Sequence, residues 1–348
     1  MDILSLIKDF ALLIVSFGTI HFISKKYFIV SLDYISKKLR LSSDMAGSTL
    51  MAAGSSAPEL AVALFAIFLS GHHEAIGVGT IVGSALFNIL AITGVVMWYK
   101  RTSKLVWQPI FRDIIFYILA VIFLAYIFYT GKLTLAGSIL LVGLYVFYVV
   151  VVYYGKHFFQ YEDAERNADN DEVPDRLHNG LSRYLQPFDQ YIARFQFLVF
   201  IISIGLISFL SWMLVESAIG ISAVLGIPEL LVGITIVAIG TSVPDLISSV
   251  IVAKQGRHGM AINNAIGSNT FDILIGLGLP FLLYMLIHGS GFELASENLL
   301  FSVGVLLASA IVLLLFFLIG KWRISRVTGI ILVLLYAVYL AYVIVQSL

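Results

Sequence analysis

The sequence predicts an all-α integral membrane protein with ten transmembrane helices in two inverted-topology five-helix repeats. Three observations predict it. Of the 348 residues, 60% are hydrophobic and 12% are charged, against about 25% charged in an ordinary soluble domain, so lipid is the solvent for most of the chain. Ten stretches reach the roughly 20 apolar residues that a spanning helix needs. Two short motifs also occur twice, far apart and in the same order.

The ten stretches lie near 9–30, 44–70, 75–99, 111–130, 133–155, 195–217, 228–253, 259–288, 298–319 and 326–347. The first has no small-residue cleavage site and reads as a retained span. Basic residues test the alternation. Lys25, Lys26, Lys37, Lys38 and Arg40 fall in the first loop, and Lys100, Arg101, Lys104 and Arg112 in the third. The fifth carries Lys156, Arg166, Arg176, Arg183 and Arg194, the seventh Lys254 and Arg257, and the ninth Lys321, Arg323 and Arg326. That places 19 of the 21 Lys and Arg residues on one side, and Lys8 and Lys132 on the other. By the positive-inside rule, both termini are outside and the middle loop is cytoplasmic, as in a multi-pass protein of the cell (plasma) membrane. Trp98, Trp107, Tyr153, Tyr154 and Trp322 sit near span ends, as interfacial aromatics do.

The chain thus divides into a first half, 1–155, a cytoplasmic linker, 156–194, and a second half, 195–348. The linker holds Glu162, Asp163, Glu165, Asp169, Asp171, Glu172 and Asp175. Their spacing matches no EF-hand loop, and the segment reads as a solvated connection. The absence of cysteine excludes disulfides and thiolate metal sites, and zero net charge leaves no nucleic-acid footprint.

The repeated motifs carry the chemistry. Residues 54–59 read Gly-Ser-Ser-Ala-Pro-Glu and residues 240–245 read Gly-Thr-Ser-Val-Pro-Asp. Residues 83–88 read Gly-Ser-Ala-Leu-Phe-Asn and residues 267–272 read Gly-Ser-Asn-Thr-Phe-Asp. The copies stand 186 and 184 residues apart, with repeats spanning 44–99 and 229–281. The second copy is displaced by five spans from the first, and an odd number inverts it in the membrane. Inverted repeats with interrupted helices mark the midplane site of secondary transporters. Pro58 and Pro244 lack the N–H that would reach the carbonyls of Gly54 and Gly240, and a carbonyl freed in lipid needs another partner, for which a cation serves.

Ser55 and Glu59 are four residues apart, as are Ser84 and Asn88, Thr241 and Asp245, and Ser268 and Asp272. On a continuous helix, each pair shares a face. Every candidate ligand is oxygen, which suits Ca²⁺ and Na⁺ rather than zinc or copper. Three carboxylates in mid-membrane are costly to keep for structure alone. Fully ionised, Glu59, Asp245 and Asp272 carry −3, while Asn88 is neutral. One Ca²⁺ with one K⁺, or three Na⁺, would balance that charge, and two mutually exclusive loads are a simple basis for exchange.

At these residues the chain resembles the calcium/cation antiporter superfamily, and most closely its potassium-dependent sodium/calcium exchangers. The resemblance implies a sodium/calcium exchanger-like fold, with ion sites between the second, third, seventh and eighth helices. It implies Glu59 and Asp245 as central calcium ligands and hydroxyls from Ser55, Ser56, Ser84, Thr241, Ser242 and Ser268. It also implies backbone carbonyls from Ala52 and Ala238, with Asn88 and Asp272 completing the centre. In the potassium-dependent branch, an acid at the Asp272 position accompanies potassium use. Ser55 departs from the Thr or Gly of many members, and the short middle loop leaves no room for the calcium-sensing domains of some animal members. The implied partners are inorganic cations (Ca²⁺, Na⁺ and K⁺) and the lipid bilayer; neither a cofactor nor a protein partner is implied.

Other readings stay open at this level. A calcium/proton antiporter of the same superfamily would ignore sodium. An intramembrane hydrolase with an aspartyl dyad needs a pair of acids rather than a duplicated hydroxyl-plus-acid pattern. A passive pore would need no counter-ion. His72, His73 and Glu74 read as a polar external turn, His21 as hydrogen-bonded within its span, and Glu216 as interfacial or lining an entry path.

Overall fold

The computed structural model describes residues 3–68, 74–98, 102–159, 195–289, 292–293 and 297–347. Apolar chain in a bilayer must satisfy its backbone internally, and it does so here as helices. They are α1 (Ile3–Ile23), α2 (Ile29–Lys38), α3 (Ser43–Ser55), α4 (Ala57–Phe68), α5 (Ala75–Trp98) and α6 (Trp107–Thr130). Then follow α7 (Leu135–Phe159), α8 (Gln196–Leu225), α9 (Leu230–Lys254), α10 (His258–His288), α11 (Glu297–Ile319) and α12 (Arg326–Ser347). Among the described residues, eight helices are long and apolar enough to cross a membrane, or nine crossings if α3 and α4, bent by 40° at Ser56, form one. The stretch expected near 9–30 is α1, which runs through a π turn at Ser24–Phe28 into α2. His72, His73 and the acidic residues of the middle loop lie outside the described residues.

The outer surface is largely apolar, and the motif acids and hydroxyls are buried inside an otherwise apolar core. Ile14, Tyr129, Ile319, Val338 and Val345 are exposed, whereas Ser55, Glu59, Asp245 and Asp272 are fully buried. Trp98, Trp107, Tyr153 and Tyr154 are exposed near helix ends, and Trp322 stacks on Phe317 at 5.6 Å. Glu216 is exposed on α8. Arg112, expected among the loop charges, is instead buried in the first turns of α6. Its Nε lies 2.7 Å from Asp113 and its Nη1 3.5 Å from Asp44. The charge is compensated inside the protein and so does not have to reach water.

Small residues let helices cross closely at the centre. A Cβ on Gly83 would strike the carbonyl of Ile234, and one on Gly267 would lie 2.6 Å from that of Ser48. A Cβ on Gly47 would lie 2.7 Å from the carbonyl of Met260, and one on Gly233 2.8 Å from that of Ile76. These four contacts are two pairs. Adding 184 to 83 and 76 gives 267 and 260, and adding 186 to 47 and 48 gives 233 and 234. The offsets that relate the motifs therefore also relate the crossings of α5 with α9 and of α3 with α10. Gly267→Ala is expected to lower the apparent melting midpoint in detergent, reflecting a loss of about 1–3 kcal/mol from forced separation. Gly143→Ala, with open space around it, is the control and should not lower it.

Two short antiparallel ribbons join loops that are distant in sequence. β1 (Thr102–Lys104) pairs with β4 (Arg323–Ser325), and β2 (Lys132–Leu133) pairs with β3 (Phe292–Glu293). In each case, two loops assigned to the same side by their charges meet.

Candidate cation-binding site

The helices that carry the motifs are interrupted where the motifs lie. α3 ends at Ser55 and α4 begins at Ala57; α9 breaks between Thr241 and Val243. Ser56 and Ser242 sit at the breaks with ψ near 0°. Pro58 and Pro244 fall in the first turns of the second segments, where a missing N–H costs nothing. Glu59 and Asp245 therefore occupy the first turn of a helical segment, whose positive end favours a carboxylate. π-helical turns flank every motif: Ala46–Met51, Phe87–Ile92, Gly233–Val237 and Asp272–Leu277. Such turns concentrate at functional sites.

All twelve expected residues are fully buried: Ala52, Ser55, Ser56, Glu59, Ser84, Asn88, Ala238, Thr241, Ser242, Asp245, Ser268 and Asp272. The members of each four-residue pair bond to other groups rather than to each other; a break lies between Ser55 and Glu59 and between Thr241 and Asp245, and π turns begin at Phe87 and Asp272. Ser55 Oγ turns back to the Met51 carbonyl at 2.8 Å, and Thr241 Oγ1 to that of Val237 at 3.0 Å. The carbonyls of Ala52 and Ala238 accept from the N–H groups of Ser56 and Ser242 at 3.0 and 3.2 Å.

The acids are joined across helices instead. Asp245 is satisfied on both oxygens: Asn88 Nδ2 donates to Oδ2 at 2.9 Å and Ser268 Oγ to Oδ1 at 3.0 Å. Ser242 Oγ lies 2.9 Å from Glu59 Oε1 and 2.8 Å from Ser84 Oγ. Ser84 Oγ lies 3.3 Å from the same Glu59 oxygen and 3.2 Å from Asp272 Oδ2. The three carboxylates do not form a compact acidic cluster among the described residues; hydroxyls and an amide stand between them.

A count of protons shows what this arrangement asks for. A hydroxyl has one proton to donate, and an ionised carboxylate has none. With both carboxylates ionised, four oxygen–oxygen contacts among Ser84, Ser242, Glu59 and Asp272 share two hydroxyl protons, so two contacts then bring oxygens together with no hydrogen between them. In addition, Glu59 Oε2, Asp272 Oδ1 and Asn88 Oδ1 are buried without a hydrogen bond of ordinary geometry. Buried acceptors without donors are rare in folded proteins. A hard cation satisfies oxygens of this kind.

Several neighbours escaped the sequence reading. Asn264 Nδ2 donates to Ser249 Oγ at 3.0 Å, and its Oδ1 lies 3.4 Å from Ser55 Oγ. Its position four residues before Ser268 was a readable signal. Asn269 Nδ2 donates to the Ala85 carbonyl at 2.8 Å, which ties α10 to α5. Phe87 meets Tyr336 edge-on at 5.3 Å, and Phe271 meets Tyr145 in the same way at 5.4 Å. Nothing local in the sequence foretold these tyrosines.

An all-helical membrane bundle with a buried, donor-poor oxygen site at two interrupted helices defines a cation transporter. Comparison with known proteins places it further. The family model for sodium/calcium exchanger protein matches residues 8–154 and 195–345. The chain belongs to the sodium/calcium exchanger family. It is 28% identical to sodium/potassium/calcium exchanger 4 of Mus musculus, over 91% of this chain and 77% of that protein. It is likewise 28% identical to sodium/potassium/calcium exchanger 3 of Homo sapiens, with the same coverage. Among solved structures, the sodium-calcium exchanger NCX_Mj soaked with 2.5 mM Na⁺ and 10 mM Sr²⁺ superposes with a TM-score of 0.65 at 25% identity, covering 97% of this chain and 99% of the other. The same exchanger soaked with 100 mM Na⁺ and 10 mM Sr²⁺ gives 0.64 at 26% identity. These relatives are transporters, and the chain is a multi-pass membrane antiporter for calcium and other cations.

Proposed function

We propose that this protein exchanges Na⁺ for Ca²⁺ across the plasma membrane by alternating access, with K⁺ carried along with Ca²⁺. The shortage of protons among the oxygens of Glu59, Ser84, Ser242 and Asp272 carries the reading. Glu59 and Asp245 are the central calcium ligands. Ser55, Ser56, Ser84, Thr241, Ser242 and Ser268 supply hydroxyl oxygens, Ala52 and Ala238 carbonyls, and Asn88 and Asp272 complete the centre. Ten spans in two inverted halves, 1–155 and 195–348, frame the site, with the termini outside and the 156–194 linker in the cytoplasm. The paired glycine crossings and the two loop ribbons agree with that frame. The names of the relatives, sodium/potassium/calcium exchangers, favour K⁺ as the companion ion.

The test is uptake of radioactive calcium into sodium-loaded liposomes diluted into sodium-free buffer, with and without external potassium. Uptake that needs the sodium gradient and rises with potassium is expected. Uptake under a proton gradient alone would move the protein to calcium/proton exchange. Asp272→Asn is expected to weaken the potassium effect more than sodium affinity, read from potassium and sodium titrations of the same flux.

A further inference from the structure

We propose that Tyr336 and Tyr145 are positioning residues for the ion site: each sits on the last helix of one half and, through a motif phenylalanine, braces the π turn that carries an ion-site residue of the other half. The inference rests on the exchange reading above and adds to it two residues that act on the site through their neighbours. Phe87 and Phe271 come immediately before Asn88 and Asp272. The ring of Tyr336, on α12, meets Phe87 edge-on at 5.3 Å, and that of Tyr145, on α7, meets Phe271 edge-on at 5.4 Å. α12 packs on the turn Phe87–Ile92, and α7 packs on the turn Asp272–Leu277. Asn88 in turn donates to Asp245, and Asp272 lies 3.2 Å from Ser84.

The two contacts are copies of one another. Residues 141–148 read Leu-Val-Gly-Leu-Tyr-Val-Phe-Tyr and residues 332–339 read Leu-Val-Leu-Leu-Tyr-Ala-Val-Tyr, so adding 191 to 141, 142, 144, 145 and 148 returns the same residue each time. The seats match as well. A Cβ on Gly94 would lie 2.8 Å from Val333 and 3.3 Å from Leu332. One on Gly278, which is 94 plus 184, would lie 2.8 Å from Leu141 and 3.3 Å from Val142. Each glycine falls just beyond its π turn, so the last helix grips the turn at both ends: ring on ring at its start, and Leu-Val against backbone at its finish. The ion-site residue differs between the copies, an amide at 88 and an acid at 272, yet the ring pair is the same. The contact therefore serves the placement of the turn rather than one particular charge. Edge-to-face rings prefer a definite geometry, which aliphatic packing does not impose. Without the brace, the turn would spend part of its time out of place, and the apparent affinity for an ion falls by the fraction that stays competent.

The hydroxyl of Tyr336 is buried without a hydrogen bond of ordinary geometry, so the ring carries the contact. In reconstituted liposomes, Tyr336→Leu is expected to raise the calcium concentration for half-maximal sodium-driven uptake about fivefold, the equivalent of about 1 kcal/mol, with the rate at saturating calcium unchanged. Tyr336→Phe should behave as the unaltered protein, and Tyr145→Leu should act as Tyr336→Leu does. Phe87→Leu tests the same contact from the other side. Combined with Tyr336→Leu it should stay near fivefold rather than reach about 25-fold, because the two rings act as a unit. Tyr339→Leu is the packing control: its hydroxyl lies 3.4 Å from Ser302 Oγ, and its loss should leave calcium half-saturation in place even if the melting midpoint falls. Unchanged half-saturation in Tyr336→Leu and Phe87→Leu, effects that multiply in the double variant, or an equal shift from Tyr339→Leu would overturn the brace. A second readout needs no transport: calcium chloride, against choline chloride, should raise the melting midpoint of the purified protein in detergent, and Tyr336→Leu should move that titration to higher concentration. Such a displaced titration in a protein without sodium-driven uptake would keep the brace and refute the exchange reading instead.

Discussion

Glu59→Gln and Asp245→Asn are each expected to reduce sodium-driven calcium uptake at least about 100-fold, roughly 2.8 kcal/mol at 1.4 kcal/mol per tenfold, while the protein still inserts and extracts as a folded species. Each change keeps the size of the side chain and removes one negative charge from a site that, by composition, holds three. The consequences differ in detail. Gln at position 59 would bring an N–H into the group of oxygens formed by Ser84 and Ser242, supplying protons where a cation is otherwise needed. Asn at 245 can keep its oxygen on Asn88 Nδ2, but its new N–H then faces Ser268 Oγ, which must turn from donor to acceptor as the charge is lost. Flux in proteoliposomes, normalised to inserted protein, decides the matter. Calcium uptake near the unaltered level in either variant would remove that residue from the ion pathway.

Arg112→Leu is expected to produce the largest loss of stability. The guanidinium holds Asp113 through Nε, approaches Asp44 and reaches Ser48 Oγ at 3.3 Å through Nη2; Asp113 is wholly buried. Removing one partner of a buried ion pair strands the other and costs about 3–5 kcal/mol. For a chain of this size, that corresponds to a fall of about 4–7 °C in apparent melting midpoint. The double variant Arg112→Leu with Asp113→Leu should recover part of it, since it removes the stranded Asp113 carboxylate while Asp44 still lacks the guanidinium. An unchanged midpoint in the single variant would show that the pair holds nothing in place. Any effect on transport should follow indirectly, because Ser48 packs its backbone on Gly267, the residue before Ser268.

The relation between sequence and structure is uneven in an instructive way. Spans and interruptions were legible because lipid imposes a length and Pro58 and Pro244 remove donors, both of which are local facts. The ligand types were legible because carboxylates and hydroxyls at mid-span have few other uses. The partners were not. Spacing of four places Ser84 with Asn88 on an ideal helix, yet Ser84 meets Glu59 and Asp272, and Asn88 meets Asp245. Which hydroxyl faces which acid depends on how four helices cross, and on π turns that rotate a helix face by part of a turn without any strict sequence signature. Arg112 misled for a related reason: a basic residue at the edge of an apolar stretch looks interfacial unless its carboxylate partners on another helix are known.

The two ribbons bear on how such a molecule moves. Pairing β1 with β4 ties the connection after α5 to the one before α12, and pairing β2 with β3 ties the connection after α6 to the one after α10. Clips at both ends remove relative freedom from α5, α6, α7, α10, α11 and α12, which then behave as a stiff chassis. α1 and α8 pack against each other along their lengths, and no described strand binds either to that chassis. This helix pair is therefore a part of the described bundle that the two clips leave untied.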